Sequence, residues 1–144
     1  MAFRGTFDHT LDAKNRLTVP RTFRAALSDG VVIAKGIEQC VAVWTPADYE
    51  RFVDTALGSL NPLSPDARNL QRFFSANAVE TELDAAGRIM VPGFLLEHGG
   101  LQKDVVVTGA GPCLELWDRA AWAVENERLA ADVIGITDAL GRAG

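Results

Sequence analysis

One ten-residue phrase is written twice in this chain. LDAKNRLTVP spans residues 11–20 and LDAAGRIMVP spans residues 83–92, with six positions identical. The likeness continues downstream. VVIAKGIEQCVAVWTPADYERF is echoed by VVVTGAGPCLELWDRAAWAVEN, aligning Cys40 with Cys113, Trp44 with Trp117 and Tyr49 with Trp122. The offset drifts only from 72 to 73, a slip of one loop residue. Such a chain must fold as two like units related by duplication. Two copies are too few for a solenoid, which needs about three.

Each unit reads the same way. GTFDHTL and NAVETEL suggest half-buried strands, and RLTVP and RIMVP suggest second strands ended by Pro20 and Pro92. A proline suits a first helical position, so RTFRAAL and GFLLEHG predict short helices. Two apolar strands follow, then a closing helix: PADYERFVDTAL in one unit and DRAAWAVENERLAADVI, with Asp118 as N-cap, in the other. The expected class is α+β, with the order β-β-α-β-β-α run twice. The expected divisions are residues 1–57, a linker at 58–77 with a helix starting at Ser64-Pro65, a second unit at 78–130, and a helix end and tail at 131–144.

The phrase itself reads as a turn. Ala13-Lys14-Asn15 fits a type I turn closed by a left-handed residue. That position favours Gly or Asn, and the copies carry Asn15 and Gly87. Asp12 then faces Arg16 across the mouth of a hairpin, as Asp84 faces Arg88. Opposed charges of this kind contribute about 0.2–1 kcal/mol, so a purely structural staple is one reading. The other starts from the cations. A guanidinium held by its carboxylate is prepared to fork onto a guanine edge or a phosphate. Only the first copy adds Lys14 at the turn, with Arg21 and Arg24 just beyond Pro20; the second has Ala86 where the first has Lys14.

Charge divides along the chain. The net charge is −5 over 144 residues, which weighs against a polyanionic partner. Residues 1–24 are nonetheless net +3 and residues 79–130 net −5. A basic patch on an acidic body can bind a polyanion locally. Other chemistry has little footing. His9 and His98 stand apart without ligand spacing, and Cys40 and Cys113 read as buried small residues. Gly109-Ala110-Gly111 lacks what a phosphate loop requires and reads as a hairpin turn. Trp44 and Trp117 suit core or interface anchors. No nucleophile–base pair is visible, so neither an enzyme nor a cofactor nor a small-molecule substrate is expected. With two Cys, no signal-like start and no span-length apolar run, a reducing cytoplasm is the expected compartment.

The doubled LDAKNRLTVP and LDAAGRIMVP, each followed by an apolar strand ending in Trp, resemble the MraZ family over nearly the whole chain up to about residue 131. The resemblance implies an AbrB-like swapped-hairpin β-barrel made from both halves, with flanking helices. It implies a nucleoid-associated transcriptional regulator, a repressor or otherwise, of the division and cell-wall gene cluster. It also implies a ring-like homo-oligomer on repeated promoter elements of double-stranded DNA. Asp12, Lys14, Asn15, Arg16, Arg21, Asp84 and Arg88 are the expected DNA-facing residues. The competing expectation is an oligomeric scaffold whose Asp–Arg turns are structural only.

Overall fold

The computed structural model describes residues 2–143. The first unit contains β1 (Thr6–Thr10), β2 (Arg16–Thr18), α1 (Arg21–Arg24), β3 (Val31–Lys35), β4 (Val41–Trp44) and α2 (Pro46–Leu57). After α3 (Pro65–Ala76) come β5 (Ala78–Thr81), β6 (Arg88–Met90), α4 (Gly93–Gly99), β7 (Asp104–Gly109), β8 (Leu114–Asp118) and α5 (Arg119–Ala143). Helix starts follow their chemistry. Thr45 Oγ1 accepts from the Asp48 amide at the head of α2, and Ser64 Oγ from Ala67 at the head of α3, each just before a proline. Asp118 Oδ2 accepts from the Ala121 amide.

Six strands form one antiparallel sheet in the order β1-β7-β8-β4-β3-β5, and β2 and β6 form a separate ribbon. Exchanging the units maps this order onto itself. The sheet is therefore built about a two-fold relation between β4 and β8, which pair at its centre. The units also trade strands: β1 lies on β7 and β5 lies on β3. Here the structure departs from a local hairpin. Past a single bond from the Asp12 amide to the Arg16 carbonyl, β1 and β2 part company. The reason is already visible one residue earlier, where the Leu11 amide donates to Lys103 and so belongs to the β7 side.

Period-two burial explains the layers. Val31 and Ile33 of β3, Val41 and Val43 of β4, Val105 and Val107 of β7, and Leu114 and Leu116 of β8 enter one core. Leu17 and Ile89 of the ribbon close that core from the opposite side, together with Phe23 and Leu95 of α1 and α4. The alternate positions of β3 and β4, Val32, Ala34, Ala42 and Trp44, form a second cluster under Tyr49 and Phe52 of α2. Trp44 stacks edge-on to Tyr49, and Trp117 meets Trp122 at the same 5.6 Å centroid distance, as the duplicated pattern expects.

One ionisable group sits awkwardly in these layers. Glu115 alternates onto the helix side of β8, where burial pushes its carboxyl above the ordinary range even though Trp117 Nε1 donates to it at 3.2 Å. A raised carboxyl pKa supplies stability below its unfolded value that is lost as pH rises through the folded one. Glu115→Gln keeps the oxygen that accepts from Trp117. It is expected to raise the melting temperature at neutral pH by a few degrees, at about 2–4 °C per kcal/mol for this size. The gain should vanish in melts run below the ordinary glutamate range.

Candidate nucleic-acid interface

The two ten-residue phrases fold into two turns that agree atom by atom. Asp12 Oδ1 accepts from the amides of Lys14 and Arg16, both at 2.9 Å, while Oδ2 accepts from Arg16 Nε at 2.7 Å. Asp84 Oδ1 accepts from the amides of Ala86 and Arg88, both at 2.9 Å, while Oδ2 accepts from Arg88 Nε at 2.8 Å. The amides of Asn15 and Gly87 each donate back to the carbonyl of the turn's aspartate at 2.9 Å. Both residues take positive φ, 58° for Asn15 and 77° for Gly87. That conformation turns their carbonyls toward the other unit, where they accept from Val91 and Val19 at 2.9 Å. Each turn thus extends the β2–β6 ladder by one bond.

Asn15 is the one non-glycine residue with positive φ among the described residues. Asn15→Gly is expected to be near neutral for folding. Asn15→Val should cost about 1–3 kcal/mol, because a β-branched residue resists this region. Equal denaturation midpoints for the two variants would contradict the turn geometry.

The ribbon register sets where the arginines go. Arg16 pairs with Met90, Leu17 with Ile89 and Thr18 with Arg88. Leu17 and Ile89 point into the core, so Arg16, Thr18, Arg88 and Met90 share the outer face. Arg16 and Arg88 are diagonal neighbours there, about 7–8 Å apart. Each commits Nε to its aspartate, and among the described residues neither Nη nitrogen has a hydrogen-bond partner. The outer edges of two pre-oriented guanidinium groups therefore look out from one surface. Lys14 is exposed at the tip of the first turn, and Arg21 is exposed at the start of α1. A cleft beside the first turn is lined by Asp12, Ala13, Asn15, Gln102 and Lys103, which brings one more cation near.

The turn geometry favours the charged form of both carboxylates. Backbone donation from Arg16, then the Arg16 side chain and Lys14 amide, hold Asp12 below the ordinary range. Donation from Arg88 does the same for Asp84. A lowered carboxyl pKa contributes stability that is present above the unfolded value and lost as pH falls through the folded one. The stability advantage of the parent over the Asp12→Asn, Asp84→Asn double variant should be constant near neutral pH. It should disappear in denaturation curves taken at pH values well below the usual aspartate range.

The sequence puts Arg24 among the cations beyond Pro20, and the fold carries it to the turn of the other unit. Its Nε donates to the Val19 carbonyl at 2.9 Å. A Cβ on Gly87 would lie 2.6 Å from that Nε and 2.9 Å from Cζ. Arg24 therefore lies over the second turn, supplying the cation that Ala86 does not.

The remaining polar groups do other work. Burial, with a lesser contribution from Arg119 and Arg24, lowers the pKa of His9. His98 Nε2 lies 3.0 Å from the Gly36 carbonyl and 3.2 Å from that of Glu38, two acceptors that require it to donate. Glu38, Cys40 and Glu115 bring ligand-type atoms within 4.8 Å of one another. Burial raises the pKa of the Cys40 thiol and pushes that of Cys113 up to about 12, so both stay protonated at neutral pH. Both cysteines are free and buried.

Comparison with known proteins agrees with this doubled geometry. The family model described as "MraZ protein, putative antitoxin-like" matches twice, over residues 2–73 and 74–134. The chain belongs to the MraZ family. A relative from Heliobacterium modesticaldum named "Transcriptional regulator MraZ" is 41% identical over 128 residues, 89% of each chain. One of the same name from Lachnoclostridium phytofermentans is 39% identical over 120 residues, 83% of this chain and 84% of its own. Another from Dictyoglomus turgidum is 36% identical over 125 residues, 87% of this chain and 85% of its own. Like the AbrB-type reading of the sequence, MraZ membership concerns both units at once. Among the described residues, no helix is long and apolar enough to cross a membrane.

Proposed function

We propose that this MraZ-family chain is a sequence-specific DNA-binding transcriptional regulator that acts on repeated promoter elements as a ring-like homo-oligomer. The observation that carries the reading is the shared outer face of the β2–β6 ribbon. Two guanidinium groups are held there by Asp12 and Asp84 with their Nη edges unengaged among the described residues. A fixed fork of this kind suits the O6/N7 edge of guanine or a phosphate. Lys14 and Asn15 in the first turn and Arg24 over the second add cations and turn backbone beside it, and Arg21 stands exposed at the start of α1. The exchange of β1 and β5 between units supports an AbrB-like swapped-hairpin barrel, with the ribbon closing the open side of the sheet. The units then correspond to residues 1–57 and 78–130, joined through 58–77.

The acidity of the chain fits this reading only if several copies act together. One ribbon offers few cations, so a single copy binds weakly. Copies joined in a closed assembly make each further contact at high effective concentration. The test is a titration of the parent against DNA from upstream of its own gene carrying one, two or three repeats, at two salt concentrations. Affinity should climb steeply with repeat number and fall with salt. Equal, salt-insensitive affinity for all three, or no binding, would favour a scaffold with purely structural turns.

A further inference from the structure

Helix α5 leaves the body of the chain after Glu125. Every residue from Asn126 to Arg142 is exposed, and the stretch carries Leu129, Val133, Ile136 and Leu140 in its apolar stripe. Their spacing of four, three and four puts them on one seam. A projecting helix with a bare stripe is marginal in water, and a four-three seam is shaped to pack against helices. The equivalent helix of the first unit is covered: Phe52 of α2 packs edge-on to Phe74 of α3, and Tyr49 Oη donates to the Phe74 carbonyl at 2.7 Å. Among the described residues nothing covers α5 in this way.

A complementary surface lies on the same chain. A groove beside α2 and α3 has Leu57, Pro62 and Ala67 along it and Arg68, Gln71 and Arg72 at its rim. Among the described residues neither arginine is ion-paired; they donate instead to the Leu63 carbonyl and to Asn69. Facing charges are available on α5. From Glu125 to Asp138 it carries four carboxylates and one arginine, and among the described residues Arg128 engages only Glu125 and Asp132. Glu127 and Asp138 are left over.

We propose that α5 of one copy seats its seam in the α2–α3 groove of a second copy, with its carboxylates against Arg68 and Arg72. Two α5 helices packed on each other would instead crowd like charges. Seam and groove are different surfaces, so the contact is head-to-tail, and repeating it closes a ring or grows a filament. This deepens the oligomeric part of the proposed function and rests on it.

The test measures mass in solution by light scattering on the full chain. The seam variant is Val133→Asp with Ile136→Asp, and the groove variant is Arg68→Glu with Arg72→Glu. All four positions are exposed, and circular dichroism checks that each variant is folded. The parent should be oligomeric, and each variant alone should be monomeric at the same concentration. Mixed, they should form a one-to-one dimer, because one retains an intact groove and the other an intact seam. A groove variant that assembles like an oligomeric parent, or a mixture of folded variants that stays monomeric, overturns the seating but leaves oligomerisation standing. A groove variant that assembles normally yet loses DNA assigns the arginines to DNA and overturns it too. A parent that is monomeric at every concentration overturns both this contact and the oligomeric reading.

Discussion

Arg16→Ala is expected to abolish tight binding to a multi-repeat operator. The ribbon face gives each copy two oriented guanidinium groups, and the substitution removes one from every copy in the assembly. A good bidentate base contact is worth about 1–3 kcal/mol. Losses repeated over several engaged copies multiply, so a fall of about 100-fold or more is expected on three repeats. If Arg16 meets phosphate instead, the plot of log affinity against log salt should flatten by about 0.9 for each phosphate left without its arginine. The two outcomes separate base reading from backbone anchoring. From the sequence, Arg88 looks the weaker partner, since Ala86 stands beside it and Glu80 and Glu82 precede it. The structure changes that expectation. Arg88 shares the outer face with Arg16, and Arg24 crosses from the other unit to sit over Gly87. Arg88→Ala should therefore weaken binding by a comparable factor. Unchanged affinity of either variant on three repeats would remove the ribbon face as the DNA surface.

Much of this site is legible before folding because its chemistry is local. An aspartate four residues before an arginine, with Asn or Gly just before that arginine, specifies the turn, its left-handed residue and the ion pair together. The apolar strands, proline-led helices and Ser64 cap are legible for the same reason. Long-range pairing is not. Leu11 could pair with its neighbouring strand or with one far along the chain, and nothing in its own segment decides between them. The register that puts Arg16 and Arg88 on one face depends on β2 meeting β6, a contact between the units. The place of Arg24 over the second turn is hidden for that reason, as is the burial of Glu115, which lies beside Ala42 of β4 and Tyr49 and Phe52 of α2. The tail past residue 131 carries an apolar stripe that is readable, but its complete exposure becomes plain only once α5 is seen leaving the body.

The asymmetry between Asn15 and Gly87 leads to the second large effect. The two positions share a backbone conformation, so the turn alone would accept Asn at both. Arg24 breaks the equivalence, since any side chain at 87 begins 2.6 Å from its Nε. Gly87→Asn therefore makes the flexible end of Arg24 swing aside, at a cost of at most the charged hydrogen bond to the Val19 carbonyl, about 1.5–3 kcal/mol. Gly87→Val adds the positive-φ strain of about 1–3 kcal/mol and should be the most destabilised of the turn variants. The mirror change, Asn15→Gly, should cost next to nothing. A double-mutant cycle isolates the cause. In an Arg24→Ala background the space over Gly87 is empty, and Gly87→Asn should become nearly neutral, as Asn15 is in its own turn. Urea denaturation of the four proteins gives the coupling directly. Additive costs would mean that Arg24 does not fix the glycine. A coupling as large as the Gly87→Asn cost itself would mean that the space taken by Arg24 is what keeps glycine in the second turn, and the same variants would then show what Arg24 does for DNA binding.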